Sequence, residues 1–196
     1  MIEGLAALIV IDIQASTFID DSAVRSIDNM AGYKDRMLKA RSAIDAARVA
    51  DIPVVFIREA HHFSLVDFGR ELGGDEDIHY PEDNPKTAIA VEEIEFLPND
   101  CLIRKRRYSA FFGTNFEILV KGLGVNTLII VGGLTDVCVH YTFVDGHQSD
   151  YFCWVIDGCV GGSSLAAHDV SLAAMEYLQT SAIRILDEVL LAMAKA

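Results

Sequence analysis

The stretch N-T-L-I-I-V-G-G-L-T-D-V-C-V-H-Y, from Asn126 to Tyr141, decides the fold. It opens on an apolar run, Thr127 to Val131, rich in β-branched residues, as in a strand buried on both faces of a parallel sheet. Gly132 and Gly133 end the run where the chain needs backbone angles other residues resist. Thr135 and Asp136 are both good helix caps, and Val137 to Asp150 reads as the helix they start. Cys138 then lies in the first turn of a helix, just past the carboxyl end of a central strand. A helix N-terminus offers unpaired N–H groups and partial positive charge. Both favour thiolate, the nucleophilic form of cysteine, and the same N–H groups can hold an oxyanion. A free cysteine also serves as a small core hydrophobe, so the rest of the chain has to decide between the two.

Strand and helix alternate on both sides of this stretch. Leu5 to Asp12, Pro53 to Arg58, Cys101 to Lys105, Tyr151 to Ile156 and Ile183 to Leu186 read as further strands. Tyr33 to Asp51, Asn115 to Gly122 and Leu165 to Gln179 carry helical spacing, and Asp187 opens a last helix. Repeated β-α units predict an α/β fold: a doubly wound, three-layer α/β/α arrangement around a mainly parallel sheet. The exception is Glu59 to Lys86, with three histidines, two prolines and an acidic run at Asp75 to Asp77. A segment this long is either a solvated excursion or a lid.

The 196 residues fit a single domain, 1–196, with a sizeable core. No apolar run approaches the roughly 18 residues of a membrane span. The opening M-I-E-G-L-A-A-L-I-V lacks the basic segment and cleavage site of a secretion signal and reads as the first strand, so a cytoplasmic location is expected. The net charge of −13 repels phosphate backbones and anionic lipid, so nucleic acid and membrane are poor partners, while it says little about a small substrate. None of the four cysteines forms a C-x-x-C pair, and no Cys/His cluster has zinc-finger spacing. Cys101 and Cys153 sit in or beside strands as core residues. Cys159, in G-C-V-G-G, has no evident role.

Three strand ends point to one edge of the sheet. The first delivers Asp12 from I-D-I-Q, another Lys105 from L-I-R-K-R-R-Y, and the third Cys138. A carboxylate near a thiol can take its proton. An ammonium between them stabilises both anions and lowers the thiol pKa. That device suits covalent attack on a carbonyl carbon. Taken singly, Asp12 reads as a cap and Lys105 as part of a solvated basic run.

The chain resembles the isochorismatase-like cysteine hydrolases, which include nicotinamidases, N-carbamoylsarcosine amidases, ureidoacrylate amidohydrolases and biuret hydrolases. The resemblance is carried by Asp12-Ile13-Gln14 with Phe18, by Lys105-Arg106-Arg107-Tyr108-Ser109-Ala110-Phe111, and by Gly132-Gly133-Leu134-Thr135-Asp136-Val137-Cys138-Val139. It implies a catalytic triad of Asp12, Lys105 and Cys138, a cis peptide at Gly133–Leu134, and an oxyanion hole from the N–H groups of Leu134 and Cys138. It also implies an amidohydrolase that cleaves a C–N bond of a small carboxamide or ureido compound through a thioester. The alternatives are isochorismatase-type vinyl ether hydrolysis and nicotinamide hydrolysis. Gln14, Phe18, His61, Arg107 and Tyr108 are the candidates for substrate contact; Arg107 suits a substrate carboxylate. The Asp-x-His stretch around which nicotinamidases of this family bind metal is replaced by R-E-A-H-H-F-S. Adjacent His61 and His62 point to opposite faces of an extended segment, and nothing in the spacing brings His79 back to them, so no metal and no cofactor is expected. The Ala-rich C-terminus and the apolar surface of Leu165 to Gln179 predict a homodimer or homotetramer.

Overall fold

A computed structural model describes residues 1–19, 27–70 and 79–196. The acidic run at Asp75 to Asp77 lies outside the described residues. In chain order the elements are β1 (Leu5–Ile11), α1 (Tyr33–Val49), β2 (Val54–Glu59), α2 (Val91–Ile94), β3 (Cys101–Lys105) and α3 (Phe116–Gly122). They continue with β4 (Val125–Gly133), α4 (His140–Gln148), β5 (Phe152–Gly161), α5 (Leu165–Leu178), β6 (Ile183–Ile185) and α6 (Leu186–Met193).

The strands form one six-stranded sheet in the order β3-β2-β1-β4-β5-β6, and every pairing is parallel. The apolar strands look uniform in sequence, but alternate side chains go to opposite faces. Leu8, Val10, Phe56, Ile129 and Val131 join Met37, Ile44, Val189 and Met193 of α1 and α6 in one core. Ile9, Ile11, Ile57, Ile103, Leu128 and Ile130 join Phe116, Phe143 and Met175 of α3, α4 and α5 in the other. A fully buried side chain of this kind contributes about 1.5–3 kcal/mol, which is why β4, buried everywhere except Asn126, occupies the middle of the sheet.

The strand order reverses direction between β1 and β4, and open α/β sheets bind ligands at that crevice. The chains run very close there. A Cβ on Gly132, which has φ +114, would stand 2.0 Å from the Ile11 carbonyl oxygen. Only glycine permits both the angle and the approach.

Two readings of the sequence need correction. The helix after β4 does not begin as an α-helix capped by Thr135 or Asp136. Thr135–Val139 form a π-helical turn with no side-chain cap, and α4 starts at His140. β5 extends to Gly161 rather than ending at Ile156. Its pairing with β4 skips from Val155 to Val160, so the D-G of Asp157-Gly158 marks an outward bulge within the strand, not its end.

Candidate active site

Four neighbouring strands end in one buried cluster: β3 in Lys105, β2 in Glu59, β1 just before Asp12, and β4 just before the turn that carries Cys138. Lys105 is fully buried. Its Nζ lies 2.8 Å from Asp12 Oδ2, 3.1 Å from Glu59 Oε2 and 3.3 Å from Cys138 Sγ. A carboxylate oxygen of Asp12, one of Glu59 and the Cys138 sulfur all lie within 4.8 Å of one another. The structure therefore brings together the three strand-end residues singled out in the sequence and adds Glu59. Glu59 pairs in register with Lys105, a neighbour relation that emerges only when β2 and β3 align.

The charges follow from this crowding. Burial works against the Lys105 ammonium, but the anionic groups around it, Asp12 foremost, outweigh burial and hold its pKa well above the usual range. Burial, with help from Glu59, pushes the Asp12 carboxyl up despite Lys105. Burial also pushes the Cys138 thiol well up; Lys105 opposes this, while Asp12 and Glu59 reinforce it. These influences favour the thiol form of Cys138, against the thiolate that a helix start and a lysine alone suggest. Asp12 Oδ1 is buried and accepts no hydrogen bond from the described residues. Asp12 itself has φ +50, a left-handed angle uncommon outside glycine and one that clusters at functional sites.

The turn bearing Cys138 is tied down from behind. Thr135 Oγ1 lies 2.9 Å from His168 Nδ1 on α5, and Asp136 accepts from the Ser163 N–H at 2.8 Å and from its hydroxyl at 2.5 Å. Burial lowers the His168 pKa, as does Arg36, so the imidazole stays neutral in the fold. The Gly133–Leu134 peptide is cis. Tyr33, the first residue of α1, lies across the strand ends. A Cβ on Gly133 would stand 1.9 Å from its hydroxyl, and one on Gly161 2.6 Å from its ring. Burial, Asp12 and Cys138 push the Tyr33 phenol up, so it stays neutral.

The proposed substrate contacts divide. Gln14 is buried and fully engaged, bonding the Glu59 backbone through both ends of its amide at 2.9 and 3.0 Å and the Thr87 carbonyl at 2.9 Å. It clamps β1 to the segment after β2, with both N–H groups of its amide spent on backbone carbonyls. Phe18 packs against the α1 core. Arg107 donates to the Asp67 and Arg106 carbonyls at 2.8 and 2.6 Å. Tyr108 packs its ring 5.6 Å from that of Tyr141. His61 is fully buried beside the cluster, whereas His62 turns away and bonds Ser64.

The segment after β2 does fold back. His79 Nδ1 contacts Glu59 Oε1, and His61 Nε2 lies 3.6 Å from the same oxygen. Glu59, His61 and His79 form a donor set of the kind that holds a cation. Among the described residues neither ring nitrogen of buried His61 makes a hydrogen bond, though Nδ1 lies 3.4 Å from Asp67 Oδ1, which fits a ligand able to turn to an ion. The pattern Glu59-Ala60-His61 thus supplies an acid-x-His stretch with glutamate in the place of aspartate. The spacing in the sequence leaves this return of His79 unspecified, and the fold supplies it.

The isochorismatase domain family matches residues 6–185. Among curated proteins, the chain is 26% identical over 166 residues to a ureidoacrylate amidohydrolase RutB of Rhizobium rhizogenes, covering 74% of this chain and 66% of that protein's length. Among solved structures, it superposes with a TM-score of 0.84 on a cysteine hydrolase from Pseudomonas syringae pv. phaseolicola, at 21% identity over 97% of this chain and 92% of that one. It superposes with a TM-score of 0.73 on a pyrazinamidase of Pyrococcus horikoshii in complex with zinc, at 21% identity over 92% and 98%.

Proposed function

The chain belongs to the isochorismatase family, and from that premise we propose that it hydrolyses a C–N bond of a small carboxamide or ureido compound through a thioester on Cys138. The observation that carries this reading is Lys105 Nζ standing within hydrogen-bond reach of both Asp12 and Cys138 in one buried cluster. The amidohydrolase name of the curated relative supports it.

Asp12 takes the thiol proton as sulfur bonds to the carbonyl carbon, and the carbonyl electron pair moves onto oxygen. The N–H groups of Leu134 and Cys138 hold that oxyanion. Collapse restores the carbonyl and breaks the C–N bond, while Asp12 returns the proton to the leaving nitrogen. Water then attacks the thioester and loses a proton to Asp12, and the departing sulfur regains it. The raised pKa of Asp12 suits a group that must carry a proton between steps. Lys105 keeps its charge throughout and stands beside each anion as it forms.

Glu59, His61 and His79 would hold a divalent cation, which when bound would polarise a substrate oxygen as a Lewis acid. The steps above use only the chain's own groups, so activity is expected to survive stripping with a chelator verified by elemental analysis. Loss of activity that returns with zinc, iron or manganese would overturn that expectation. The exposed apolar residues Val170 and Tyr177 of α5 support a homo-oligomer, which light scattering tests. The decisive experiment for the reaction is a screen for ammonia release from small amides and ureides, with mass spectrometry of the acid-quenched enzyme. An acyl adduct on Cys138 supports the thioester. Ammonia release that persists in Cys138→Ala would overturn the thioester route, and hydrolysis of a vinyl ether substrate that survives Cys138→Ala would favour the isochorismatase-type alternative.

A further inference from the structure

The outer edge of the sheet carries a feature the proposed chemistry does not use. Arg58 of β2 and Arg104 of β3 stand directly opposite one another in register. Like charges placed across a strand pair are destabilising. Arg106 joins them, and together with Leu102, Gly113, Thr114 and Asn115 they line an open groove of about 470 Å³. That volume lies within the range of small-molecule sites. Side chains alternate along a strand, so Arg104 leaves β3 on the side away from Lys105, and the groove's lining includes none of Asp12, Glu59, Lys105 and Cys138.

The three arginines are not balanced. Arg104 pairs with Glu82 and Arg106 with Asp67. Arg58 has neither a carboxylate nor a hydrogen-bond partner among the described residues, and its Nε is buried without a partner. Burial, Arg106 and Arg58 all work against the Arg104 charge. Among the described residues the two carboxylates leave one of the three positive charges over at this place. Arg48 and Arg36, by contrast, are matched, with Glu95 and Asp100 and with Asp157. Gly113 leaves open space where a side chain would stand, and Asn115 does not use its amide to cap α3. Arg58 beside Arg104, with the Asn115 side chain also lining an open groove, matches a tetrahedral oxyanion, which can accept from two guanidiniums at once.

We propose that this groove is a binding site for a phosphate-bearing small molecule, held chiefly by Arg58 and Arg104. Isothermal titration calorimetry at constant ionic strength tests it, with inorganic phosphate, ribose 5-phosphate and succinate as probes. The expected result is one saturable site per chain for phosphate, with the sugar phosphate distinguishing a free ion from an ester by binding more tightly. Arg58→Gln weakens both by about tenfold or more, as loss of a charge-assisted contact does. Without ligand, Arg58→Gln keeps or raises the melting temperature, because a like-charge contact has gone. Arg104→Gln is an independent second loss, and Lys121→Gln on the far side of α3 leaves binding unchanged. Heats that follow ionic strength alone, equal affinity in Arg58→Gln, or succinate binding as tightly as phosphate would each overturn the proposal.

Discussion

The carboxyl ends of β1 and β4 face those of β2 and β3 across the same buried cluster, and the two halves are built on different principles. The β1–β4 half is made by backbone shape. Asp12 sits at φ +50, Gly132 at φ +114 against the Ile11 carbonyl, and the turn to Cys138 is held from behind by His168 and Ser163. The β2–β3 half is made by charge. Glu59 and Lys105 pair across neighbouring strands, two histidines lean on Glu59, and Gln14 fixes the backbone at that point. In the proposed reaction the first half would place the reacting atoms and the second would set which of them holds the proton, so changes to each should be separable.

The largest effect belongs to the nucleophile. Cys138→Ala should lower turnover by roughly four orders of magnitude or more, as removal of a covalent nucleophile does in a comparable triad. Its urea midpoint should hardly move, since no charge is left unpaired. Lys105→Met comes next. It abandons Asp12 and Glu59 in a buried place, and breaking a buried ion pair in that way costs about 3–5 kcal/mol. Urea denaturation should show that loss, and Glu59→Gln added to Lys105→Met should recover part of it. Stability that is unaffected by Lys105→Met would mean that the cluster is far wetter than its burial implies.

Glu59→Gln alone probes charge without removing a reacting atom. Glu59 raises the Cys138 pKa, so its neutralisation makes the thiolate easier to form. The midpoint of iodoacetamide labelling against pH should move to lower pH by about one unit. A shift to higher pH would show that Glu59 acts on the thiol mainly by steadying Lys105. The smallest effect comes from behind the turn. The folded pKa of His168 is depressed, so the unfolded chain binds its proton more readily. Its contribution to stability is present above the unfolded value of about 6.5 and is lost as pH falls from there towards the folded pKa. His168→Gln should flatten that part of the stability–pH curve while leaving the labelling midpoint of Cys138 in place.

The β1–β4 half was largely legible in the sequence because its signals are local. An apolar run, two glycines and a cysteine specify a strand and a sharp turn within sixteen consecutive positions, Asn126 to Tyr141. The misreading there concerned partners, not placement. Thr135 and Asp136 are good caps, but their oxygens are claimed by His168 and Ser163, 33 and 27 residues away. The β2–β3 half was legible only in Lys105. Glu59 acquires its role from strand register, His79 from the return of a long segment, and Gln14 spends its amide N–H groups on backbone atoms 45 and 73 residues distant. Hydrophobic periodicity carries no record of such pairings.

Tyr33 and the two glycines beneath it have a consequence for how this chain can change over time. The phenol fills the space that a side chain at Gly133 or Gly161 would need, so the three positions share one volume and cannot vary one at a time. A lineage that acquires alanine at 161 must first shrink or swing residue 33. One that shrinks residue 33 opens a hole beside Asp12 and Cys138 and gains from refilling it. Descendants should therefore show bulk moving between the helix and the strand ends as a correlated exchange, with the sum of the three side chains nearly constant.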